Sequence, residues 1–153
     1  MVLETVRRIR TNLEAIKALL KTPGHEEICG GLYTFAIEEY GKILLLQNCG
    51  DSPVIDLKYK NGFRKHEAKF ELAINDLSDD CLKIESGGYT DAGFTSTGYT
   101  KDKIADLDAR LGIFYMDFTD DVSHIKPIPS VSRASLEGSL ESFECHLNQK
   151  FSQ

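Results

Sequence analysis

Apolar residues recur through the first twenty positions at alternating intervals of four and three: Val2, Val6, Ile9, Leu13, Ile16 and Leu20. This period predicts an amphipathic helix whose narrow seam suits an antiparallel neighbour or a dimer partner. Thr22-Pro23-Gly24 stops it. A second helix is predicted from near His25 to about Asn48, with Ile28, Leu32, Phe35, Ala36, Ile43 and Leu46 as its apolar side. Its small residues, Gly30, Gly31, Ala36 and Gly41, allow a neighbouring helix to come close, at about 1 kcal/mol of helix propensity per glycine.

The residues from Asn48 to Pro53 break the chain, and Val54 to Tyr59 reads equally as a short strand or the start of a helix. From about Gly62 the helical period returns, with Phe63, Phe70, Ala73, Ile74 and Leu77 on one side. Residues 78–100 are rich in Gly, Ser, Thr and Asp and read as a long loop of the kind that is functional or disordered in compact domains. Tyr89, Phe94 and Tyr99 in that loop either cover a ligand or anchor it to the core. Thr100 opens a fourth helix through Ile104, Leu107, Leu111 and Phe114, and residues 119–129 form another loop. Ser130 is the expected N-cap of a last helix carrying Leu136, Leu140, Phe143, Leu147 and Phe151. These elements predict an all-α fold, an up-and-down bundle of four to five helices in a single domain over residues 1–153.

Composition narrows the function classes. The chain is long enough to bury a core without staples. Apolar stretches such as Ile43–Leu46 reach only four residues, so neither a signal peptide nor a membrane span is expected. Cys29, Cys49, Cys81 and Cys145 are scattered without a CxxC pair, which fits reduced, packed thiols in a cytoplasmic protein. No metal or cofactor is expected, since a zinc site would draw ligands from four separate segments. The net charge of −6 argues against a general nucleic-acid coat but leaves room for local basic faces. Lys58, Lys60, Arg64, Lys65 and Lys69 form one group, and Arg7, Arg8 and Arg10 another.

No Gly-rich phosphate loop, GxSxG elbow or HExxH helix occurs. The informative stretch is LYTFAIEEYGKILLL, where Glu38, Glu39 and Lys42 stand among apolar neighbours. At least one of the three is drawn toward the core, and a buried charge needs a partner. His66 and Lys69 share a helical face in FRKHEAKF, and the fourth helix adds Arg110, Tyr115 and Asp117. On residue types alone this set is either an ion-pair network that sets helix register or a polar cleft.

The blocks GGLYTFAIEEYGKILLL, FRKHEAKF and DARLGIFYMDF, followed by a loop to Pro127, occur in the order found in AbiV-type abortive-infection proteins, which belong to the HEPN superfamily. The resemblance covers roughly residues 10–145. It implies a HEPN-like bundle, commonly a homodimer, in phage defence and acting on RNA or on a phage or translation-associated protein. Catalytic HEPN members carry an arginine followed, after four to six residues, by a histidine. Arg110 matches the arginine, but the position five further on is Tyr115. Tyrosine, with a pKa of about 10, is a poor base near neutrality beside histidine at about 6.5.

Three readings follow. The first is a binding domain without catalysis, which takes RNA, a nucleotide or a protein through Glu38, Glu39, Lys42, Lys69 and Asp117. The second is a metal-independent endoribonuclease that uses Arg110 and Tyr115 with His66 as a displaced base. The third is a structural or dimerisation domain whose polar cluster only sets register.

Overall fold

The computed structural model describes residues 1–48, 66–83, 85–90, 93–98 and 130–152. Helix α1 (Val2–Leu20) buries Val6, Ile9, Leu13, Ile16 and Leu20, the seam expected from its 4-3 spacing. Each such side chain contributes about 1.5–3 kcal/mol when removed from water, so this seam outweighs the exposed ion pairs on the opposite face. The seam faces a neighbour within the chain. The helix closes with Lys21 and Thr22 donating to Ala18 and Leu19, and Gly24 at φ 90° makes the reversal that a side chain would strain.

Helix α2 (Glu26–Asn48) follows and packs against α1 on one side and α3 (His66–Asp76) on another. It is buried almost all round, which changes the face expected for it. Ile28 and Phe35 are 50% and 41% exposed, while Cys29, Tyr33, Ala36, Ile37, Tyr40, Ile43 and Leu44 form the core face. Apolar residues on every side give more than one 3.6-period solution. The observed one puts two tyrosines inside because their hydroxyls find acceptors there. Tyr33 Oη donates toward the carbonyls of Cys81 at 2.7 Å and Ser139 at 2.9 Å.

Of the small residues expected to admit a neighbouring helix, Gly41 does so. A Cβ on Gly41 would lie 2.0 Å from the carbonyl oxygen of Lys69, so only glycine lets α3 cross α2 there. At Gly30 it would lie 2.9 Å from a methyl of Val131, so the neighbour at that point is a strand. Helix α3 buries Phe70, Ala73 and Ile74, and Leu77 just beyond it, as its period predicts.

Within the segment expected as a loop over 78–100, the described residues form regular structure. A short helix α4 (Asp79–Leu82) leads into strands β1 (Glu85–Thr90) and β2 (Gly93–Gly98). They pair antiparallel from Glu85↔Gly98 to Thr90↔Gly93, with Tyr89 opposite Phe94. Strand β3 (Ser130–Val131) pairs with the other edge of β1, giving the order β2-β1-β3. Gly, Ser and Thr without apolar alternation hid these strands, because pairing here rests on backbone hydrogen bonds.

Ser130 is therefore a strand residue, and Ser132 caps the last helix, α5 (Arg133–Lys150), by accepting from the Ser135 amide. Leu136, Leu140, Phe143 and Leu147 are buried as expected, and Phe143 meets Tyr33 and Tyr40 edge-on at 5.9 and 5.5 Å. The helices thus form a bundle as expected, and a small sheet joins it among the described residues, with Val131 of β3 packed into the core beside α2. No described helix is long and apolar enough to cross a membrane. The predicted helix after Thr100, the loop over 119–129, the 54–59 segment and the basic residues 58–65 lie outside the described residues.

Substituting Gly41 by alanine should lower stability by about 1–3 kcal/mol or more, since the Cβ meets backbone, which cannot swing aside. Thermal unfolding followed by circular dichroism would read it, and an unchanged Tm would show that the crossing can relax.

Candidate functional site

The α2–α3 crossing at Gly41 brings the charged residues of both helices together. Glu38 is 2% exposed, and its Oε1 accepts from Lys69 Nζ at 2.6 Å and from His66 Nδ1 at 2.8 Å. Lys69 is itself 3% exposed, so this is a buried ion pair, with the half-exposed imidazole of His66 at its outer edge. His66 and Lys69 stand three apart in the first turn of α3, which aims both at the same carboxylate. Burial acts to raise the Glu38 pKa. The hydrogen bond and charge of Lys69, followed by those of His66, outweigh it and hold the carboxyl below its ordinary 4.5.

One turn along α2, Lys42 pairs with the mostly buried Glu39 and lies 5.9 Å from the Phe35 ring centroid. Five of the expected site residues, Glu38, Glu39, Lys42, His66 and Lys69, therefore gather on two adjoining helices. Arg110, Tyr115 and Asp117 lie outside the described residues.

A second polar cluster was not singled out by sequence. Tyr40, buried on α2, presents its hydroxyl to Asp76 Oδ2 and to His146 Nε2, the latter at 2.6 Å. Lys150 Nζ donates to both Asp76 oxygens at 2.7 Å and sits 5.5 Å from the Tyr40 ring centroid. The single phenolic proton serves either Asp76 or His146 at a given moment. Burial, then the hydrogen bond to Asp76, pushes the Tyr40 pKa far up, so the phenol stays neutral. For Asp76, Lys150 and Tyr40 outweigh burial and lower the pKa from its ordinary 3.8. Tyr40 adjoins Glu39 in the informative block, but no spacing linked it to residues 76, 146 and 150. Arg133 and His146 sit near opposite ends of α5, roughly 20 Å apart at 1.5 Å per residue, and Arg133 pairs with Glu137.

Among the described residues no group of three or more His, Cys, Asp or Glu side chains could hold a metal ion. Cys29 and Cys81 are buried free thiols, and Cys145 is an exposed one. Burial is the leading cause that raises the pKa of both buried thiols, which keeps them protonated. Comparison of the chain with known protein families, with characterised proteins and with solved structures finds no match.

Substituting Glu38 by alanine should cost about 3–5 kcal/mol, because Lys69 is then left charged and buried without its partner. Acid should do the same by protonation. Both lowered carboxyls contribute stability that is complete above their ordinary values of 4.5 and 3.8 and is lost as the pH falls through the lower folded values. Thermal unfolding over a pH series should show a Tm that drops steeply in that acid range for the wild type and less steeply for Glu38→Ala. Parallel curves would mean that Glu38 is not the titrating group.

Proposed function

We propose that this chain is a HEPN-type, AbiV-like helical domain of a phage-defence system, which binds RNA without cleaving it through the polar face that α2 and α3 build around Glu38. The observation that supports this reading is the buried Glu38 carboxylate, which fixes Lys69 and His66 while His66 and Lys42 reach the surface. A fixed imidazole edge beside a lysine is suited to phosphate and base contacts. A nucleotide or a phage or translation-associated protein would meet the same face. The domain acts in the cytoplasm as a homodimer, with the exposed Ile28 and Phe35 of α2 as apolar surface for the second copy.

One observation favours endoribonuclease activity as a second reading. A buried carboxylate orienting a histidine is also the arrangement that prepares a general base. His66 would then be the displaced base, with Arg110 on the phosphate and Tyr115 beside it.

Purified protein incubated with total cellular RNA in EDTA should leave it intact, while a fluorescein-labelled RNA should bind by anisotropy. His66→Ala and Lys42→Ala should each weaken that binding, by about tenfold where a charge-assisted hydrogen bond is lost. Cleavage by the wild type and not by His66→Ala would replace the binding reading with the enzymatic one. No RNA binding at all would remove RNA as the partner.

A further inference from the structure

We draw no further inference here: the strongest candidate, the outward apolar face of α2 at Ile28, Leu32, Phe35 and Leu46, carries nothing beyond the homodimer surface already proposed, because nothing among the described residues shows what covers it.

Discussion

The buried pair of Glu38 and Lys69 is the constraint on which the arrangement of α2 and α3 depends. Lys69 acts on α2 twice, through its ammonium on Glu38 and through its carbonyl oxygen against Gly41. The ion pair sets which residues oppose each other, and the glycine sets how near they come. Neither works without the other: a wider crossing would draw the charges apart in a place where water cannot replace the lost partner. Because α2 also carries α1 on another side, this crossing positions the first half of the bundle.

The second half is tied on by tyrosine hydroxyls. Tyr33 reaches carbonyls of Cys81 and Ser139, joining α2 to the end of α4 and the middle of α5. Tyr40 joins α2 to α3 and α5 through Asp76 and His146, with Lys150 completing the charge balance. Phe143 fills the space between the two rings. Polar contacts of this kind add less to stability than the aliphatic core around them, but they have direction. They therefore select one packing of helices whose apolar surfaces would accept several.

Much of this was legible in the sequence wherever one physical signal dominated. The 4-3 seam of α1, the Thr22-Pro23-Gly24 stop and the core residues of α3 and α5 follow from a single apolar stripe on each element. Glu38 with His66 and Lys69 was readable because charges inside an apolar block must find partners of opposite sign. The core face of α2 was not, since a helix apolar on all sides leaves its orientation to neighbours, and Phe35 lost its expected place to Tyr33 and Tyr40. The hairpin over 85–98 carries almost no apolar pattern, and β3 took Ser130 from the helix it was expected to cap. Tyr40, Asp76, His146 and Lys150 meet only through tertiary structure, without a spacing that announces them.

The Glu38–Lys69 pair is a coupled structural unit that holds the polar face in place. A double-mutant cycle with Glu38→Leu and Lys69→Leu, read by urea unfolding, measures that coupling. The double variant should be more stable than either single one, with a coupling energy above about 1.5 kcal/mol. Losses that simply add would contradict it, leaving Gly41 and the apolar contacts to set the crossing alone.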